Sequence, residues 1–192
     1  MDETSVKYFA NLHSKDANLR YASYEFITKK IQEKVDWAYE VWDELLDLSR
    51  TGDNHQRAIA VQLLSNLAKS DPKKRMLKDF EQLLIVTKDE KFVTARHSLQ
   101  SLWKIAIVSE DLKIKVVESL TNRFIECVNE KNGTLIRYDI LEVFRKIYDR
   151  LNDDKLKETA LRLIEAEDDA KYRKKYIGLW QDLLNLKNKK LN

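Results

Sequence analysis

The sequence predicts an all-α fold in which one antiparallel helix pair recurs about every 37–41 residues. Three observations predict it. Arginine returns at Arg20, Arg57, Arg96, Arg137 and Arg173, with gaps of 37, 39, 41 and 36 residues. Each arginine opens the same apolar pattern: six residues on stand Phe26, Leu63, Leu102, Val143 and Leu179, followed by Ile27, Leu64, Trp103, Phe144 and Trp180. A unit that cannot bury its own apolar face must stack on a neighbour, so recurrence in phase means one supersecondary unit repeated. Third, the chain holds only three glycines and one proline, against usual shares of about 7% and 5%. These residues break helices, so their scarcity points to helices joined by tight turns.

The units follow in order. Units are expected at about 14–50, 51–90, 91–130 and 131–167, with a half unit at 168–192, all within a single repeat domain of 1–192. In the first, helix A is expected over 17–33 and helix B over 36–49. In the second, Asp53 precedes a helix with Ile59, Ala60, Leu63, Leu64 and Leu67 at helical spacing. Asp71-Pro72 then reads as an N-cap and an N1 proline for a helix carrying Met76, Leu77, Phe80, Leu83 and Leu84. The third unit has helix A over 92–107, Ser109 as cap, and helix B to about 129. The fourth has helix A over 134–150, with Asn152 or Asp153 capping a helix to about 166. The fifth supplies helix A alone, over 170–187. A short amphipathic stretch with Val6, Phe9 and Leu12 precedes them and is placed to cover the open end of the first unit.

Helix pairs of this period and turn chemistry resemble the HEAT-repeat superfamily. Tetratricopeptide repeats recur at about 34 residues, and ankyrin repeats carry Thr-Pro-Leu-His; neither pattern is present. The HEAT resemblance implies a right-handed α-α superhelix, an α-solenoid, with A helices outside and B helices lining a concave face. It also implies a scaffold that binds other proteins.

The arginines call for their own explanation. Asp16, Asp53 and Asp169 stand four residues before three of them, where Asp is a good N-cap. An arginine in the first turn opposes the helix dipole. Five in one phase therefore point to a structural ladder, in which Arg20, Arg57, Arg96, Arg137 and Arg173 reach carbonyls or carboxylates of the neighbouring unit.

Helix B of the first unit concentrates aromatic and acidic residues: Trp37, Tyr39 and Trp42 stand among Asp36, Glu40, Asp43, Glu44 and Asp47. Tyr and Trp are typical interface anchors. The expected function is a non-catalytic scaffold that binds a protein or peptide on its concave helix-B face, with Trp37, Tyr39 and Trp42 as anchors and Asp43 and Asp47 beside them. The competing reading packs these aromatics against the N-terminal stretch and the next repeat. Trp103 and Trp180 fall in the core phase.

A second function class comes from resemblance. Val41-Trp42-Asp43-Glu44-Leu45-Leu46-Asp47-Leu48 resembles the Trp/Asp segment of a bacterial group of alkylpurine DNA glycosylases built from similar repeats, with the Trp42–Asp47 spacing off by a residue. That resemblance implies DNA binding and base release. Nucleic acid without chemistry would use the basic C-terminal half: residues 142–192 carry thirteen basic and ten acidic side chains, whereas 1–50 carry seven and ten. Net charge is only +3, too balanced to argue for nucleic acid by itself. Basic clusters stand at Lys73-Lys74-Arg75-Lys78, Lys171-Arg173-Lys174-Lys175 and Lys187-Lys189-Lys190.

Other classes lack a signal. No apolar run reaches the roughly 18 residues of a membrane span. Met1-Asp2-Glu3-Thr4 is not the start of a secretory signal, and Cys127 is the only cysteine, so a cytoplasmic protein is expected. His13, His55 and His97 lack metal-ligand spacing, and no phosphate loop or nucleophile elbow occurs; no metal and no cofactor are expected. The last helix carries Ile177, Leu179, Trp180, Leu183, Leu184 and Leu186 without a following partner helix, so self-association there is a further expectation.

Overall fold

The structure is a computed structural model, described over residues 1–184. It is all-helical, with no strand among the described residues. The elements are α1 (Glu3–Asn11), α2 (Ala17–Lys30), α3 (Ala38–Thr51), α4 (Asn54–Leu67), α5 (Met76–Val86), α6 (Phe92–Ser101), α7 (Trp103–Ala106), α8 (Glu110–Glu126), α9 (Gly133–Leu151), α10 (Asp154–Glu165) and α11 (Ala170–Gly178). Short 3₁₀ turns extend α4 and α8 at Ala68–Ser70 and Cys127–Asn129. Contacts group the chain into two compact units, Met1–Lys113 and Ile114–Asn192. No described helix is long and apolar enough to cross a membrane.

Helix starts follow local chemistry. The Asp16 carboxylate accepts from the Asn18 and Leu19 amides, and Asp169 accepts from Lys171 and Tyr172. Asp53 and Gln56 form a reciprocal capping box: the Gln56 amide donates to Asp53 Oδ1 at 2.9 Å and the Asp53 amide donates to Gln56 Oε1 at 2.8 Å. Two of the four orphan donors at that helix end are satisfied this way. Asp153 caps α10, whereas Asn152 ends α9 in the left-handed region at φ 51°, a conformation Asn tolerates better than most residues.

Two boundaries differ from the sequence reading. Asp71-Pro72 does not begin a helix. Residues 71–75 form a turn with Lys74 at φ 55°, and α5 starts at Met76, whose amide donates to Asp71 Oδ2 at 2.7 Å. Asp71 thus caps across a longer loop. The expected helix over 92–107 breaks at Leu102 into α6 and α7. Trp103 beside that break is half-buried, whereas Trp180 is fully buried as the phase requires.

In the unit Met1–Lys113, α2, α4 and α6 are successive neighbours, α3 packs on α4 and α5, and α1 packs on α2. Its interior is aliphatic, with Ile27, Leu45, Leu63, Leu64, Leu67, Phe80 and Leu83 almost wholly out of solvent. Phe9 and Leu12 are buried on the N-terminal side, while Val6 is half exposed. In the unit from Ile114 onward, α9 packs on α10 and α11, burying Ile140, Phe144, Ile147, Leu163, Tyr176 and Trp180. Gly133 is required there by close approach: a Cβ would stand 2.1 Å from the Cys127 carbonyl oxygen. The basic cluster Lys187-Lys189-Lys190 and Leu186 lie outside the described residues. Of the remaining apolar side chains expected for self-association, Trp180 is buried, and Ile177, Leu179, Leu183 and Leu184 are half-buried.

Candidate functional site

The five arginines stand in different surroundings. Arg20 is nearly buried; its Nη1 donates to the Ser14 carbonyl at 2.7 Å, and Nη2 lies 3.3 Å from Asp53 Oδ2. Arg57 donates to the Gly52 carbonyl at 2.8 Å and to Asp89 Oδ2 at 2.7 Å. Arg137 donates to the Phe124 carbonyl at 2.9 Å and to Glu167 Oε2 at 2.8 Å, its guanidinium 4.7 Å from the Phe124 ring centre. Arg173 donates to the Glu167 carbonyl at 2.7 Å. Arg96 lies over the Phe92 ring at 5.7 Å. Arg20, Arg57 and Arg137 thus each join a nearby carbonyl to a carboxylate 30–33 positions further along the chain. Burial opposes the ionised Asp89 carboxyl, but the Arg57 guanidinium and the Lys91 amide together outweigh it and hold Asp89 below the usual range.

The aromatic residues of α3 are held inside a network. Trp42 is fully buried, and its indole N–H donates to Asp79 Oδ2 at 2.9 Å. Trp37 is half-buried, edge-on to Phe9 at 5.8 Å. The Tyr39 hydroxyl donates to Asp71 Oδ1 and accepts from the Lys73 amide at 2.8 Å. Arg75 bridges Asp43 at 2.5 Å and Asp79 at 3.5 Å, and lies over both the Tyr39 and Trp42 rings. Asp43 and Asp47 are exposed. Trp42 is therefore unavailable to a partner or a flipped base, and the three aromatics do not form one open patch. The reason is that α3 packs on both α4 and α5: its apolar stripes, including Val41, Leu45 and Leu48, are all core-facing.

A concavity in the unit Met1–Lys113 lies elsewhere, across α2, α4 and α6, with a volume of about 670 Å³. Its α2 wall is Arg20, Tyr21 and Tyr24. Its floor is α4, through Asn54, His55, Ala58, Ile59 and Gln62. Its α6 wall is Phe92, Val93, Thr94 and His97, with Lys91 at the rim. Two of the most exposed large hydrophobic side chains among the described residues, Tyr21 at 61% and Val93 at 63%, stand on opposite walls. Both walls are tied to the floor: Tyr24 donates to Gln62 Oε1 at 2.9 Å, and Thr94 donates to the Asn54 carbonyl at 2.8 Å. Burial pushes the Tyr24 phenol above its ordinary pKa, which keeps it a donor.

The groove has a sequence origin. The residue following each arginine reads Tyr21, Ala58, His97, Tyr138 and Lys174. Large side chains at that position flank one alanine, Ala58, which lies in the floor of the groove. This column of the repeat was the signal available for finding it. His13, His55 and His97 are all exposed, and His13 pairs with Glu44 at 2.8 Å. Among the described residues no cluster of His, Cys, Asp and Glu has the geometry to hold a metal ion. Cys127 is buried, its thiol donating to the Phe124 and Gly133 carbonyls, and burial raises its pKa.

Comparison with known proteins gives no family whose model matches this chain, and no curated protein matches it.

Proposed function

We propose that this chain is a HEAT-like α-solenoid scaffold whose task is to bind a segment of another protein, and that the segment lies in the groove across α2, α4 and α6. The observation that carries this reading is the groove: an open apolar channel with two exposed walls, Tyr21 and Val93, fixed to its floor by hydrogen bonds. Pre-formed concave sites with apolar walls and a few oriented polar groups are where ligands bind, and exposed aromatics supply contact area at low entropic cost. The proposed surface is formed by the A helices rather than by the helix-B face that Trp42 and Tyr39 occupy. A photo-crosslinking residue placed at Val93 is expected to capture a discrete protein from the source cell, and the same residue at Asp43 on α3 is not. Capture from Asp43 alone would return the binding surface to the helix-B side.

One observation favours a second reading, nucleic-acid binding through the unit from Ile114 onward. Lys175 lies 4.8 Å from the Tyr138 ring centre and Lys171 5.8 Å from that of Tyr172, so basic and aromatic groups interleave on α9 and α11. Stacking and phosphate contact use such groups. Salt-dependent retention of an oligonucleotide, lost on Lys171→Glu/Lys175→Glu, would support it. A glycosylase role has less support, because it would need Trp42 at the surface.

A further inference from the structure

We infer that the occupant of the α2–α4–α6 groove is an acidic peptide segment carrying one bulky apolar side chain; this rests on the reading of the groove as a protein-binding site. The argument is charge segregation. Residues 1–113 contain eighteen basic and eighteen acidic side chains, so that part of the chain is neutral as a whole. Yet none of the fourteen residues lining the groove is a carboxylate, while Arg20, Lys91, His55 and His97 all line it. Of the acids beside it, Asp16 and Asp53 cap α2 and α4, Asp89 is held by Arg57, Glu25 interacts with the Tyr21 hydroxyl, and Glu90 pairs with Lys91.

The two cations, Arg20 and Lys91, differ in what they offer. Arg20 is buried and occupied by the Ser14 carbonyl and Asp53, so it contributes field rather than contact. Lys91 is the available ammonium. Its side chain is 60% exposed, and its pairing with Glu90, at 3.6 Å and itself 78% exposed, is worth little. It exchanges readily for a partner's carboxylate. The α6 N-terminus adds to it: Lys91 stands at the N-cap position with no side-chain cap, so the first-turn amides of Phe92, Val93 and Thr94 leave partial positive charge at the same rim. The bulky side chain sits over Ala58, between Tyr21 and His97, where the repeat leaves out a side chain. A polyanion is a poorer fit, because it needs phosphate contacts along its length and the surrounding unit has no net charge.

The test is selection of a randomised 12-residue peptide library, displayed on phage, against the full chain, followed by affinity measurement of the enriched peptides on variants. Enriched peptides are expected to be net negative and to hold an aromatic or large aliphatic residue. Lys91→Glu/His97→Glu is expected to weaken them at least tenfold, and Ala58→Trp to abolish binding by filling the groove. Ala58 is only 6% exposed, so Tyr21→Glu and Val93→Glu, both at exposed positions, provide the same test if Ala58→Trp does not fold. Enrichment of neutral or basic peptides that remain sensitive to Ala58→Trp, Tyr21→Glu or Val93→Glu would overturn the acidic occupant and leave the groove reading standing. Peptides that bind all these variants equally, or no enrichment at all, would overturn both. A dT12 oligonucleotide that displaces the peptides and is itself blocked by Tyr21→Glu would overturn the peptide assignment in favour of nucleic acid.

Discussion

Asp53 serves two helices at once: its Oδ1 accepts the Gln56 amide at 2.9 Å to cap α4, and its Oδ2 lies 3.3 Å from Arg20 Nη2 of α2. The cap of α4 and the ion pair to α2 are therefore one structural device. Asp53→Ala is expected to cost about 1–2 kcal/mol, the upper range for a lost N-cap. Asp53→Asn keeps an acceptor for Gln56 and should cost less. In a double-mutant cycle with Arg20→Met, coupling of roughly 0.2–1 kcal/mol is expected, because Asp53 is half exposed. Urea denaturation of the four proteins checks both figures; zero coupling would reduce Asp53 to a cap alone.

Arg137 and Glu167 make the buried version of the same contact, with side-chain exposures of 10% and 6%. Removing one partner leaves an uncompensated buried charge. Arg137→Ala is expected to destabilise by about 3–5 kcal/mol, whereas Lys30→Ala, which breaks the exposed pair with Asp2, stays within about 1 kcal/mol. Thermal melts of the two variants side by side decide it, and equal shifts would contradict the ranking.

Trp42→Ala should lower stability by roughly 3–5 kcal/mol, as for other buried aromatics, and Trp42→Phe by less. A Trp42→Ala protein as stable as the parent would mean the ring is a surface anchor after all. Chemical denaturation followed by circular dichroism measures this directly.

Asp2 gives a prediction with pH. The Ser5 amide, donating at 2.7 Å, and then Lys30 hold its carboxyl down to about 2 from an ordinary 3.8. Because the folded value is the lower one, the contribution of this cap is present above the ordinary value and is lost as pH falls toward 2. Carbon-detected NMR titration should show the Asp2 carboxyl midpoint near 2. Asp2→Asn should remove that pH dependence from the fraying of α1.

The sequence made the all-helical class legible because glycine and proline are scarce and apolar residues recur at helical spacing, and because Asp16, Asp53 and Asp169 mark helix starts with a mechanism of their own. It did not make the direction of Trp42 legible. An aromatic on a second apolar stripe reads equally as a surface anchor or as the core of a helix with two packed neighbours, and α3 has both α4 and α5 against it. The turn at 71–75 was hidden by Pro72, which suits a helix start and a loop alike. The groove escaped because its lining comes from α2, α4 and α6, and a small residue such as Ala58 in its floor gains meaning only once three helices lie side by side.

The most direct measurement is an amide chemical-shift map of the isotope-labelled chain titrated with a selected acidic peptide. The account predicts perturbations centred on Tyr21, Ala58, Val93 and His97, with α3 and α5 unmoved. Perturbations centred on Tyr39, Asp43 and Asp47 would contradict it and place the binding surface on the opposite set of helices.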